Sequence, residues 1–226
     1  MNLYAINTGH FKLDGGAMFG VVPKSIWNKL NPADENNMCS WAMRSLLIKD
    51  GNKLILVDNG MGDKQDPKFF GHYYLHGDDS LDKSLAKHGF TKDDITDVIL
   101  THLHFDHCGG SITRVGDNLL PAFKYANYYS NERHWQWATH PNEREKASFL
   151  KENILPIKDS GQLKMIEAPV ISNEQPDPVI PTMPSGIIPG LSFIFVDGHT
   201  RAMMLPVIQF KEKTIVFAAD LLPSAA

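Results

Sequence analysis

Ten residues near the middle of the chain, THLHFDHCGG (101–110), constrain its fold more than any other segment. Three histidines and an aspartate lie close together, directly after the apolar run VIL (98–100). The run predicts a buried strand, and residues two apart at its end, His102 and His104, then project to the same side. The two glycines that follow permit a tight turn or a close backbone approach. Because a solvated loop with incidental histidines seldom combines these features, we predict a metal site at the end of a strand.

Asp106 and His107 lie past the point where the strand alternation breaks, so they can turn towards a second, nearby position. Two later segments also place polar side chains at the ends of strands, as His102 is placed: VDGHT puts His199 just after a predicted strand, and AADLLPS puts Asp220 just after another. An aspartate there can bridge two cations with one oxygen on each. Imidazole and carboxylate ligands suit zinc, but also iron, manganese and cobalt, so the ligand types leave the identity of the metal open.

Short apolar runs separated by turn signals predict a mixed α/β protein. Asp50-Gly51-Asn52 predicts the tight turn of a β-hairpin, and Ser80 predicts the start of a helix that stops at Gly89. Six prolines between 169 and 189 predict a loop or extended edge, either a lid over the site or a connector. The predicted strands are 45–48, 54–57, 98–100, 191–196 and 214–218, and the predicted helices are 80–88 and 131–153.

The composition predicts a single domain, 1–226, because 226 residues of which 42% are hydrophobic can bury a sizeable core. The net charge of −4, without a run of like charges, argues against a protein that binds nucleic acid or a membrane surface. We find no signal peptide and no apolar run of about 18 residues, and therefore expect a soluble, cytoplasmic protein that acts on a small molecule. Cys39 and Cys108 are too few for a disulfide framework, and Cys108 is expected to be a packed core residue.

Four motifs in chain order resemble those of a known family: VDNG (57–60), THLHFDH (101–107), GHT (198–200) and AAD (218–220). They look like the successive motifs of the metallo-β-lactamase-fold hydrolases. The phenylalanine within HLHFDH and the interval from His199 to Asp220 are most similar to the lactonase and phosphotriesterase-like branch. The resemblance implies an α/β (α+β) fold, a four-layer αβ/βα sandwich with its site in a groove at one edge of two sheets.

The resemblance also implies a centre for two zinc ions, or for manganese, iron or cobalt, that activates hydroxide for attack on a small ester, lactone or phosphotriester. The implied ligands are the polar side chains at the strand ends: His102, His104 and His199 for the first ion, Asp106 and His107 for the second, and Asp220 for both. Asp58 is implied to orient these ligands without binding a metal. Asp106 and Asp220 are the implied catalytic residues, and Asp220 is a candidate to protonate the leaving group.

Two positions depart from the family pattern. The family supplies one more histidine to the second metal after the bridging aspartate, but no histidine follows His199 here. We expect from this that the chain is truncated at its C-terminus; the alternative is that a nearby histidine substitutes, which would give a weak or empty second site. Pro223 stands where some acyl-homoserine-lactone lactonases carry a tyrosine that contacts the substrate, which leaves the substrate open.

Three more residues are candidates for contact with a substrate: Phe19, Phe105 and His134. Phe19 belongs to an apolar stretch that is equally consistent with a core strand, and His134 is also consistent with a helix surface or the edge of the core. A β-lactamase and a thioester hydrolase are alternative functions for the same site. A degenerate family member with an incomplete second metal site, acting as a binding protein, is the non-enzymatic alternative. A homodimer is left open.

Overall fold

The largest β-sheet brings the carboxyl ends of its parallel strands to one edge, where the histidine-rich segment lies. The computed structural model describes residues 1–168 and 182–224. Its strands are β1 (Asn2–Asp14), β2 (Met38–Asp50), β3 (Lys53–Val57), β4 (Asp97–Ile99), β5 (Ile112–Val115), β6 (Asn118–Pro121), β7 (Asn127–Asn131), β8 (Leu163–Ile166), β9 (Met183–Pro184), β10 (Leu191–Val196), β11 (Met203–Phe210) and β12 (Lys213–Val216). Its α-helices are α1 (Gly15–Phe19), α2 (Lys24–Trp27), α3 (Pro67–Tyr73), α4 (Leu81–Lys87), α5 (Phe105–Cys108), α6 (Glu132–Thr139) and α7 (Lys151–Asp159). The described 3₁₀ helices are Lys92–Asp94, Gly109–Ser111 and Ala219–Leu221.

The first sheet has the strand order β1-β2-β3-β4-β7-β8, and the second has the order β12-β11-β10-β9. Strands β1, β2 and β3 pair antiparallel, whereas β3, β4, β7 and β8 run parallel. The described pairs of the second sheet are antiparallel, and β5 and β6 form a separate hairpin. Central parallel strands are buried on both faces, which explains why 54–57 and 98–100 read as continuous apolar runs.

The two sheets pack face to face through a buried apolar cluster that includes Ile55, Ile99 and Phe193. The opposite face of the first sheet packs against α4, α6 and α7 through residues such as Leu85 and Trp135. Within the described residues, the clusters that contain strands of the second sheet include no α-helical residue. These clusters therefore define three layers: a layer of helices, the first sheet and the second sheet. The mixed α/β fold class is confirmed.

Most of the predicted elements lie where the sequence predicts them. Asp50 pairs with Lys53 across the hairpin turn, and Gly51 there has a φ of 54°. Ser80 caps α4, because its side chain accepts a hydrogen bond from the amide of Lys83. The predicted strand 191–196 is β10, and the predicted strand 98–100 is β4, shifted by one residue.

The helix predicted over 131–153 is wrong, because α6 ends at Thr139 and α7 begins only at Lys151. Pro141 explains the break, since proline has no amide proton and keeps the residue before it out of the helical region. Most of the proline-rich segment, 169–181, lies outside the described residues, and its end contains the short strand β9.

The described helices are all short. None of them has the length and apolar character that crossing a membrane requires.

Candidate metal centre

The predicted ligands converge from both sheets. His102 and His104 follow β4, and Asp106 and His107 lie on the short helix α5 directly after them. The second sheet contributes His199, after β10, and the 3₁₀ helix Ala219–Leu221, after β12, which carries Asp220. Carboxyl ends of strands thus meet in one crevice, the usual place for a ligand in an α/β sheet.

His102, His104 and His199 form one group whose ligand atoms all lie within 4.8 Å of one another. Nδ1 of His104 lies 3.0 Å from Nε2 of His199. Tetrahedral zinc with Zn–N bonds of about 2.0 Å separates its ligand atoms by about 3.3 Å, so this spacing is close to that of a metal site. Nε2 of His102 is buried and has no hydrogen-bond partner among the described residues. A buried nitrogen without a partner is unfavourable unless a cation binds it, and the donor set therefore fits a divalent metal.

Asp220 lies between two of the histidines and directs one oxygen to each. Its Oδ1 lies 3.2 Å from Nε2 of His107, and its Oδ2 lies 3.3 Å from Nε2 of His199. A second possible metal-binding group, His102, His107 and Asp220, shares residues with the first. Oδ2 of Asp106 lies 3.6 Å from Nε2 of His107, and so on the side of this second group. The arrangement offers two adjacent cation positions with one carboxylate between them.

Asp58 lies behind the ligands and fixes the orientation of two residues. Its buried carboxylate accepts hydrogen bonds from the amide of Thr101 at 2.9 Å and the hydroxyl of Thr101 at 2.8 Å. Oδ2 of Asp58 also lies 2.8 Å from Nδ1 of His107, which donates to it. This contact places the Nδ1 proton and leaves Nε2 of His107 facing Asp220. The orienting role that the family resemblance implies for Asp58 remains a prediction, and these hydrogen bonds to Thr101 and His107 are the contacts through which it would act.

Burial and nearby charge divide the histidines into two kinds. Burial lowers the pKa of His102 well below its usual value and that of His104 to about 2, so both are neutral with free lone pairs. Burial alone would lower the pKa of His107, but the three neighbouring carboxylates raise it well above its usual value. Burial alone would raise the pKa of Asp220, but the charge of His107 lowers it to about 2. The second group therefore favours a positive charge, as a cation-binding position must.

His134, a candidate for substrate contact from the sequence, is not among the residues that line the cavity beside these ligands. It is fully buried, and both ring nitrogens are used: Nε2 accepts from the amide of Leu103 at 2.8 Å, and Nδ1 donates to the carbonyl of Arg201 at 2.6 Å. With neither nitrogen free, it cannot replace a missing ligand. His134 instead joins the segment that carries His102 and His104 to the turn that follows His199. Sequence gives no signal for this, since both partners are backbone groups distant along the chain.

Lys64 is a second residue that sequence reasoning missed. Its side chain is buried, and Nζ donates to the carbonyl of Gly109 at 2.6 Å, at the end of α5. Burial lowers the pKa of Lys64 to about 8. A lysine in a polar loop segment gives no sequence signal that its side chain is buried and hydrogen-bonded to the end of α5. Cys108 is buried as predicted, with its thiol directed at the carbonyl of Leu103.

A cavity of about 370 Å³ opens beside the ligands and is lined by His104, Asp106, His199 and Asp220. Phe105 lines it, as expected, but Phe19 is not among its lining residues. The ring of Phe19 stacks on Trp27 instead, with centroids 4.7 Å apart. The other lining residues include four that the sequence did not single out: Trp41, Tyr73, Arg144 and Glu145.

This geometry agrees with the comparison against protein families. The model of the metallo-beta-lactamase superfamily matches residues 44–226, which is most of the chain and includes every ligand discussed above. The chain belongs to the metallo-beta-lactamase superfamily. The resemblance that the motifs suggested is thereby confirmed.

Within this superfamily, curated relatives of the chain include an N-acyl homoserine lactonase from Bacillus thuringiensis. It is 24% identical over 208 residues, which are 88% of this chain and 66% of the lactonase. The chain therefore spans just under two thirds of the length of that relative.

Solved structures share the fold. A probable metal-dependent hydrolase from Staphylococcus aureus has a TM-score of 0.80 and 26% identity, covering 95% of this chain and 71% of its own. AidC, a dizinc quorum-quenching lactonase in complex with a product, has a TM-score of 0.71 and 21% identity, covering 97% of this chain and 71% of its own.

Proposed function

We propose that the chain is a metal-dependent hydrolase of a small lactone or ester, with a dinuclear centre held by His102, His104, Asp106, His107, His199 and Asp220. The observation that carries the proposal is the carboxylate of Asp220, whose two oxygens face two different histidines at 3.2 and 3.3 Å. A carboxylate that serves two adjacent cation positions is the central element of a two-metal hydrolytic site. Zinc suits these nitrogen and oxygen ligands, and manganese, iron and cobalt remain alternatives.

Each side chain has a distinct task in this proposal. Two divalent cations, when bound, supply a water that loses its proton near neutral pH and a positive charge that stabilises an oxyanion. His102 and His104 present neutral nitrogens, and Asp58 keeps the proton of His107 on Nδ1 so that Nε2 faces the centre. Asp220 lines the cavity, and its carboxylate can take up the proton that the attacking water loses and pass it to the leaving alkoxide.

The cavity supports a substrate with an apolar part. Its volume of about 370 Å³ is that of a small-ligand site, and the rings of Trp41, Tyr73 and Phe105 form part of its wall. The lactonases among the relatives support the choice of lactones as the first substrates to test. The homodimer and the cytoplasmic location expected from the sequence remain predictions.

A substrate panel tests the proposal. The protein is loaded with zinc, manganese or cobalt and incubated with N-acyl homoserine lactones, simple lactones, aryl esters, an aryl phosphotriester, a chromogenic β-lactam and a thioester. We expect turnover of a lactone or ester that chelation abolishes and that His104→Ala reduces to background. His140→Ala is the matched control, because His140 is exposed and remote from the ligand group. A protein that binds metal but hydrolyses none of these would instead be a non-catalytic member of the superfamily.

A further inference from the structure

A cationic side chain, Arg144, lies in the wall of the cavity beside the candidate metal centre. It is the single lysine or arginine among the described residues that line this cavity. The acidic residues of the wall are Asp106, Glu145 and Asp220. Asp106 and Asp220 belong to the proposed ligand set. Glu145 is therefore the acidic residue of this wall that is left as a possible ion-pair partner for Arg144.

Glu145 is engaged elsewhere. Its Oε2 accepts hydrogen bonds from the hydroxyl of Thr200 at 2.7 Å and from the indole of Trp137 at 2.9 Å. The other acidic residue of this loop, Glu143, pairs with Lys146. Arg144 is left with no side-chain hydrogen bond or ion pair to any residue that the structure describes.

The loop that carries Arg144 is attached to both halves of the ligand set. The amide of Phe105, between two predicted ligands, donates to the carbonyl of Ser148 at 3.0 Å. Thr200, which binds Glu145, directly follows the predicted ligand His199. Within the loop, Oδ1 of Asn142 accepts from the amides of Arg144 and Glu145 at 3.0 and 2.9 Å. Arg144 is exposed, but these hydrogen bonds anchor the loop that carries it beside the cavity.

We propose that Arg144 binds a carboxylate of the substrate, so that the substrate class is a small ester or lactone that carries a carboxylate beside an apolar body. This inference rests on the proposed hydrolase function and specifies its substrate. The planar guanidinium can donate two parallel hydrogen bonds to a carboxylate, and Trp41 and Tyr73 offer apolar surface to the rest of the molecule. Because the guanidinium has no ion pair among the residues that the structure describes, it gives up none of these contacts when it binds.

Two matched esters test the proposal: 4-butanoyloxybenzoate and its neutral counterpart 4-butanoyloxybenzamide. For the zinc-loaded protein we expect a higher kcat/KM for the benzoate, and we expect Arg144→Ala to lower the ratio of the two values about 5- to 10-fold. Arg144→Glu should invert the preference, and Arg144→Lys should restore part of it. Arg114→Ala is the control, because it removes the same charge from an exposed position on β5. The preference should also shrink with added salt.

Binding of the corresponding amides, 4-butanoylaminobenzoate and 4-butanoylaminobenzamide, separates this proposal from the proposed function. Tight binding of the benzoate that depends on Arg144, without hydrolysis of any ester, would support the anion site and contradict the hydrolase. Hydrolysis with the same ratio in the wild type and Arg144→Ala would overturn the anion site and leave the hydrolase intact.

Discussion

The carboxylate of Asp58 determines which nitrogen of His107 faces the candidate metal centre. It accepts from Nδ1 of His107 and from both donors of Thr101, so all three of its contacts are to groups with a proton to donate. An oxygen in this position lets the ring be a ligand through Nε2. In an asparagine at this position, one carboxylate oxygen is replaced by an NH2 group. That group is itself a donor, so it cannot accept one of the hydrogen bonds from Thr101 or His107.

We therefore expect Asp58→Asn to weaken binding of the second metal about 10- to 100-fold while the first is retained. Metal titration of the purified variant, with two binding steps resolved by calorimetry, measures this. Asp63→Asn is the control, because Asp63 is an exposed carboxylate in the same loop region. Equal loss of both binding steps would mean that Asp58 supports the fold in general and not His107 in particular.

His134 makes the stability of the metal-free protein depend on pH. Burial lowers its pKa to about 4 in the folded state, below the ordinary histidine value of about 6.5. The unfolded chain then binds more protons between these two values, so stability is complete above about pH 6.5 and is lost as the pH falls towards 4. The shift corresponds to about 3 kcal/mol.

Denaturant unfolding at pH 7.5 and pH 5 tests this dependence. We expect His134→Gln to be less stable than wild type at pH 7.5, by about 1 to 3 kcal/mol, because the amides and carbonyls it served lose good geometry. The variant should also lose less stability than wild type on acidification. An identical pH dependence in the two proteins would show that His134 does not contribute to it.

Backbone from another loop packs closely against the end of the helix α5. A Cβ on Gly109 would lie 2.1 Å from the carbonyl oxygen of Met61, and one on Gly110 would lie 2.3 Å from that of Asn59. The close approach predicted from the sequence is confirmed. Gly109 has no positive φ, so its backbone conformation does not require glycine. The lack of space for a side chain explains why glycine occupies this position.

Gly109→Ala should consequently displace α5, which carries Asp106 and His107, and lower the free energy of unfolding by more than about 3 kcal/mol. Gly71→Ala is the matched control: Gly71 is helical in α3 with open space around it, and alanine there should stabilise by about 0.5–1 kcal/mol. Thermal unfolding of both variants and the wild type measures these changes in stability. Comparable stability of the two would mean that the loops separate easily and do not fix α5.

Sequence patterns predicted the elements that depend on local chemistry and missed those that depend on distant contacts. The caps and turns at Ser80 and Gly51 were predicted because each is made by residues a few positions apart. The segment 143–151 is rich in helix-forming residues, yet 140–150 forms a loop that the hydrogen bonds of Asn142 and Glu145 fix. Thr200, which donates to Glu145, directly follows His199 after a strand of the second sheet. No local sequence pattern reveals this contact.

In the molecule as a whole, the ligand set joins the two sheets. The segment from His102 to His107 follows a strand of the first sheet, whereas His199 and Asp220 follow strands of the second. Protein contacts also cross here, with the amide of Met204 donating to the carbonyl of Thr101 at 2.9 Å. Periodicity could place each ligand at the end of a strand, but it could not show that these strand ends are neighbours. That step came from the family resemblance.

Because the ligands come from both sheets, metal binding should stabilise the folded state as a whole. At a free metal concentration about 1,000 times Kd the gain is about 4 kcal/mol, which for a chain of this size raises Tm by roughly 8–16 °C. Differential scanning fluorimetry with and without a chelator measures the shift, and His104→Ala should largely abolish it. A metal-independent Tm in the wild type would contradict binding of metal to the folded chain at this site.

The central claim is that two cations lie on either side of the carboxylate of Asp220. Anomalous scattering from a crystal of the zinc-loaded protein, collected at the zinc edge, tests this most directly. We predict two peaks about 3.5–4 Å apart, one beside His102, His104 and His199 and the other beside His107, with Asp220 between them. A single peak, or peaks that Asp220 does not contact, would contradict the dinuclear centre.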